Sequence, residues 1–132
     1  MEVVVDASVL IAVVANEDDK HRLIELTQKA ELVAPLSVHW EMGNAFSAML
    51  KRQRITLDQA IAAIEAYLQI PIRFVEVELV ESLVLADELD LYAHDAYLLR
   101  CAEKYRSPLL SLDKNLVQSA KSKKIAVLEL PE

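Results

Sequence analysis

Val3, Val4 and Val5 form a continuously apolar, β-branched run, the pattern of a strand buried on both faces of a sheet. Asp6 follows at once and suits the N-cap of a helix running to about residue 15. Asp18 and Asp19 then precede Leu23, Ile24, Leu26 and Ala30 at helical spacing, which predicts a second helix ahead of the short apolar run Leu32-Val33-Ala34 and its Pro35 stop. Ser37 reads as the cap of a helix to about Gln53, with Val38, Met42, Ala45, Phe46 and Met49 on its apolar side. Thr56 caps the next helix, in which Ile61, Ile64 and Leu68 are expected to carry the buried stripe. The remaining pattern predicts a strand from Ile72 to Val77, helices from Leu79 to Leu89 and from Ala93 to Tyr105, and a strand at Leu109-Leu110-Ser111. A short helix from Asp113 to Ser122 and a final strand from Ile125 to Leu130 complete it.

Strands alternating with helical segments imply an α/β fold with a mainly parallel sheet, because parallel neighbours need crossover connections. The 132 residues fit one domain, 1–132, around one core. A hydrophobic fraction of 54% with one glycine describes a densely structured chain. It also excludes glycine-rich phosphate loops, since Gly43 stands alone. The single cysteine, Cys101, cannot form an internal disulfide, and no Cys/His spacing fits a zinc site. No apolar run approaches the roughly 18 residues of a membrane span, and the start lacks a basic signal-peptide pattern. The expectation is a soluble, cytoplasmic protein with no membrane association.

A net charge of −7 argues against binding nucleic acid chiefly by neutralising phosphates. Acids that converge on divalent cations would account for part of it. Asp6 directly follows the first strand and Asp113 the strand ending near Ser111, so both belong to the carboxyl edge of a parallel sheet, where such folds bind ligands. Each could equally cap the helix behind it. Glu41 falls beside Val38 and Ala45 at the edge of an apolar arc, with Asn44 on the same border. Asp95 occupies the first turn of its helix on the side of Leu99 and Ala102, a dry setting in which a carboxylate calls for a cation. Hard cations such as Mg²⁺ are held by such oxygens together with retained waters.

Taken in order, these segments resemble the PIN-domain family, and especially the VapC-like toxins of bacterial and archaeal toxin–antitoxin modules. Val4-Val5-Asp6-Ala7-Ser8-Val9-Leu10 is similar to the family's first strand with its signature acid and following hydroxyl residue. Glu41-Met42-Gly43-Asn44-Ala45 resembles the helical acid, His94-Asp95-Ala96-Tyr97 the third acidic position, and Ser111-Leu112-Asp113 the fourth. The resemblance implies a three-layer α/β/α sandwich with a central sheet of about five strands. It further implies an Mg²⁺- or Mn²⁺-dependent endoribonuclease in which Asp6, Glu41, Asp95 and Asp113 hold metal and an activated water attacks an RNA phosphodiester. Ser8, Asn44, Ser111 and Asn115 would support the acids, Asn115 standing where relatives often carry a further acidic or polar residue. A cognate antitoxin and a homodimer are implied partners.

Other residues carry less. His94 diverges from Asp95 by about 100° around the helix, which argues against a general base. Lys51, Arg52 and Arg54, with Lys121, Lys123 and Lys124, are candidates to guide phosphates at the rim, or else solvated helix ends. Trp40 and the four tyrosines show no interleaving that specifies base stacking and read as core or interface residues. Two competing functions remain. One is an aspartyl phosphatase with Asp6 as nucleophile, although Ser8 stands where the usual companion acid would be. The other is a non-catalytic PIN-like module that binds protein or RNA.

Overall fold

The computed structural model describes residues 1–130. Its elements run β1 (Glu2–Val5), α1 (Ala7–Val14), α2 (Lys20–Thr27), β2 (Glu31–Pro35), α3 (Ser37–Lys51), α4 (Leu57–Leu68), β3 (Ile72–Val75), α5 (Leu79–Leu89), α6 (Ala93–Tyr105), β4 (Leu109–Leu110) and α7 (Lys114–Ser122). The strands form one parallel sheet in the order β3-β2-β1-β4. The chain therefore steps outward from β1 to β3, then returns to the other side of β1 for β4. That reversal opens a crevice beyond the carboxyl ends of β1 and β4.

β1 is central, and its three valines are fully buried, as a continuously apolar β-branched run requires. α6, backed by α5, packs against β1, β2 and β4, while α1 packs with α2, α3 and α4. The sheet flanked by helices is the expected α/β sandwich, with four strands in place of about five. Residues 125–130 contribute only a bridge between Val127 and Leu109, because β4 is two residues long and offers little edge to pair with.

Two local expectations are corrected. Thr56 does cap α4, in a reciprocal box with Gln59. The buried stripe of α4 is however Ala60, Ala63 and Tyr67, with Ile61 and Leu68 exposed. The spacing is the same and the face is rotated by one residue, about 100°. α4 packs with α1 and α3, and Tyr67 is turned inward by its bond to His39 of α3, which leaves Ile61 and Leu68 on the outer side. Ser37 is likewise not a cap. Leu36 occupies that position without a side-chain bond, and Ser37 begins the helix with its Oγ buried and unpartnered.

Candidate functional site

Register sets up the site. Val5 pairs with Leu110, so the next residues of the two parallel strands, Asp6 and Ser111, emerge side by side at the carboxyl edge. Ser111 Oγ donates to Asp6 Oδ2. Asp6 Oδ1 accepts from Ser8 Oγ at 2.6 Å and from the Val9 backbone N–H at 3.2 Å. The serines also tie down the opposing loop: Ser8 Oγ accepts from Leu112 N at 3.0 Å and Ser111 Oγ from Asp113 N at 3.0 Å. Asp113 Oδ1 in turn accepts from Asn115 N at 2.9 Å and Leu116 N at 3.3 Å. Asp6 and Asp113 are thus helix caps and neighbours at one sheet edge at once. The two readings of their sequence positions coexist.

Asp6 is 5% exposed. Burial pushes its carboxyl above the ordinary value, the bonds from Ser111, Ser8 and Val9 pull it back, and the charge of Asp113 pushes it up again. Glu41 comes from the second turn of α3. Burial raises it, His94 draws it down, and Asp95 and Asp6 raise it further. Asp95, in the first turn of α6, is raised by burial, lowered by His94 and raised by Asp113. These influences link all four acids. Glu41 stands out among them, because its Oε1 is buried and accepts no hydrogen bond from Asn44 or any other described residue.

Glu41 lines an open groove of about 550 Å³ with Ala7, Ser37, Trp40, Asn44 and His94. Ser37 Oγ, one helical turn before Glu41, is the other buried side-chain polar atom without a partner among the described residues, and both residues line this groove. Asn44 is exposed on this groove, and Asn115 is exposed with only its backbone N–H engaged with Asp113. His94 is closer to the acids than helical divergence suggested, with Nε2 3.5 Å from Asp95 Oδ1. At the N-terminal end of a helix a long side chain can fold back towards its neighbour. Trp40 is not a core residue, being 67% exposed at the groove. The one available sign was a tryptophan on the polar side of an otherwise amphipathic helix.

The basic cluster lies elsewhere. α3 begins at the carboxyl edge, and Lys51 sits ten residues beyond Glu41, about 15 Å along the axis. Lys121 and Lys123 end α7 and are paired with Glu129 and Glu88. Cys101 is buried, and burial pushes its thiol up to about 12, which removes it from nucleophilic chemistry. No helix among the described residues is long and apolar enough to cross a membrane.

The donor chemistry fits a hard divalent cation: carboxylates from four segments, with one oxygen, Glu41 Oε1, buried and unsatisfied. Among the described residues no three His, Cys, Asp or Glu side chains stand close enough together to hold a metal ion by themselves. Mg²⁺ does not need three, since it retains several waters and is held through one or two carboxylates plus substrate phosphates.

The sheet order, the acids at its carboxyl edge and the parallel β1–β4 pairing describe a known class of fold. The chain belongs to the PIN domain family, which it matches over residues 3–122. It is similar to PAE2754 from Pyrobaculum aerophilum, with 26% identity, a TM-score of 0.74, and 96% of this chain and 83% of that one covered. It shares the fold of VapBC2 from Rickettsia felis, solved with a DNA fragment from their promoter, at 13% identity, a TM-score of 0.63 and 98% of both chains. It also shares that of Mycobacterium tuberculosis VapC20, a sarcin-ricin loop cleaving toxin, at 16% identity, a TM-score of 0.65, and 98% of this chain and 99% of that one. No match is found among curated proteins.

Proposed function

We propose that this PIN domain is an Mg²⁺- or Mn²⁺-dependent endoribonuclease, the toxin of a toxin–antitoxin module, with Asp6, Glu41, Asp95 and Asp113 as its acidic site. The carrying observation is Glu41 Oε1, a buried carboxylate oxygen with no donor among the described residues, under the charge of Asp95 and Asp6. Such an oxygen is costly unless protonated or paired with a cation. A bound divalent ion would lower the pKa of an attacking water and stabilise charge growing on the phosphate. Asp6 is the fixed member, held by two hydroxyls and a backbone N–H. Glu41 lines the groove and would receive the ion or its waters, with the charge of Asp95 acting on it. Asn44, exposed on the same groove, would orient water or a phosphate oxygen.

A nucleophilic Asp6 is disfavoured, because both of its oxygens accept hydrogen bonds and the residue is 5% exposed. The likeness to VapBC2 and to VapC20, a sarcin-ricin loop cleaving toxin, favours the toxin reading over a non-catalytic module. Mg²⁺ or Mn²⁺ at a hundred times its dissociation constant should stabilise the folded protein by about 2.7 kcal/mol. The same ion should be required for RNA cleavage, and a chelator should remove both effects. No thermal shift, no calorimetric binding and no cleavage of any RNA would establish the non-catalytic module instead.

The partners have places to dock. An open groove between α1, α2 and α4, about 1140 Å³, is lined by Val13, Ile24, Met49, Ile55 and Ile70 with Lys20 and Arg54 at its side. It suits an apolar antitoxin segment carrying acidic flanks, and an antitoxin-like reading frame directly upstream would support that. For the homodimer, α5 exposes Leu79, Val80, Leu83 and Val84, a continuous apolar face that favours cover. Antiparallel pairing of two copies through this face would bury it on both. Sedimentation at micromolar concentration should give a dimer; a monomer would refute this pairing.

A further inference from the structure

Trp40 and His94 line the groove beside Glu41, and Tyr92 stands next to it with its ring against that of His94; the proposed chemistry leaves these aromatic residues unused. Trp40 sits between two inward-turned neighbours on α3. His39 bonds Tyr67 through Nδ1 and Oη at 2.8 Å, and Glu41 reaches into the groove, so the indole is directed outwards at its rim. It is steadied edge-on by His39, with centroids 4.8 Å apart. On the α6 side Tyr92 is 81% exposed, and its ring lies nearly parallel to that of His94, at 9° with centroids 6.2 Å apart. Exposed aliphatic residues are ordinary, but open aromatic faces on two elements flanking one groove are a platform for a flat ligand.

Charge points the same way. The protein carries −7, and many of its cations are occupied: Arg73 with Glu2, Arg100 with Glu78 and Glu103, Lys104 with Glu78, Lys121 with Glu129, and Lys123 with Glu88. The net charge of −7 disfavours holding a strand mainly through its phosphates. Stacking needs no cation, tolerates any base and supplies the missing affinity.

We infer that Trp40 and the Tyr92–His94 pair form a base-stacking subsite that receives unpaired nucleobases of single-stranded RNA on either side of the acidic groove. This rests on the ribonuclease reading for its substrate and on the ring geometry for its location. Bases must be unstacked from a duplex to lie on such rings, so loops and single strands are selected over helices.

Trp40 is the only tryptophan in the chain, so its fluorescence reports on the subsite alone. In the cleavage-deficient Asp6→Asn protein with Mg²⁺, oligoadenylate RNA should quench it, whereas an abasic ribose-phosphate chain of equal length should not. In the wild-type background, Trp40→Ala and Tyr92→Ala should each raise KM about tenfold with little change in kcat, and Trp40→Phe should restore most of the loss. Wild-type cleavage with an unchanged KM in both alanine variants and equal quenching by the abasic chain would overturn the subsite. So would conversion of a dimer to a monomer by Trp40→Ala, which would assign the ring to an interface between copies. If the wild type cleaves no RNA, the ribonuclease reading fails by itself. The quenching contrast then decides the subsite: its presence supports base stacking and its absence refutes it.

Discussion

Glu41→Gln should reduce metal-dependent RNA cleavage on the order of a thousandfold while making the metal-free protein more resistant to heat. The loss follows from removing one anionic contributor to a cation site, where several kcal/mol of transition-state charge stabilisation are at stake. The gain follows from the folded state. Glu41 has its carboxyl pushed above its ordinary value of 4.5, chiefly by burial, with His94 drawing it down and Asp95 and Asp6 raising it further. The folded protein therefore holds this proton to a higher pH than the unfolded chain does. Below the ordinary value both states are protonated and there is no penalty. As pH rises through the elevated folded value, the penalty on the native state becomes complete and stability falls. Glutamine cannot ionise, so the variant should show a flatter decline in Tm from acid to neutral pH and a higher Tm at pH 7 without metal. Mg²⁺ should then raise the Tm of the wild type more than that of the variant. Thermal unfolding across pH with and without Mg²⁺, beside cleavage rates, measures all three effects. A variant less stable than wild type at neutral pH would show that Glu41 contributes packing rather than unpaired charge.

The opposed effects explain why parts of the site were legible in the sequence. Asp6 and Asp113 could be placed because strand ends are readable from β-branched runs, and parallel strands put their carboxyl ends on one edge. Glu41 and Asp95 could be assigned to a side of a helix, but not to what covers that side. A periodic pattern fixes angles around an axis, whereas neighbours are set by packing between distant segments. α4 shows the limit most clearly. Ile61, Ile64 and Leu68 have the spacing of a buried stripe, yet Ala60, Ala63 and Tyr67 carry it, because the bond between Tyr67 and His39 of α3 fixes which face of α4 turns inward. The basic cluster failed for a related reason: Lys51, Arg52 and Arg54 follow the acidic turn closely in sequence, but a straight helix carries them to its other end. Trp40 was hidden by its uniqueness, since one aromatic residue makes no pattern until Glu41 and His94 are seen beside it.

Ser111→Ala should lower cleavage by about ten- to a hundredfold, the usual cost of losing a hydrogen-bond partner that orients a metal-site acid. This hydroxyl has two duties, donating to Asp6 Oδ2 and accepting the Asp113 backbone N–H, so it joins β1 to the loop that carries the fourth acid. Its bond is the largest influence lowering the carboxyl of Asp6, opposing the upward push of burial. Without it Asp6 should hold its proton to higher pH, and the acidic limb of the pH–rate profile should move upward. The loss should therefore be greatest at low pH and shrink as pH rises. Ser111→Thr keeps the hydroxyl and should restore most of the activity along with the original limb. Ser8→Ala supplies the comparison, because Ser8 donates to the other Asp6 oxygen at 2.6 Å and accepts from Leu112 N. It should shift the profile in the same direction. A uniform loss across pH in both alanine variants, with no movement of the limb, would mean that the serines hold the loop in place without tuning the carboxylate. That result would leave the geometry intact and remove the electrostatic role assigned to the two hydroxyls.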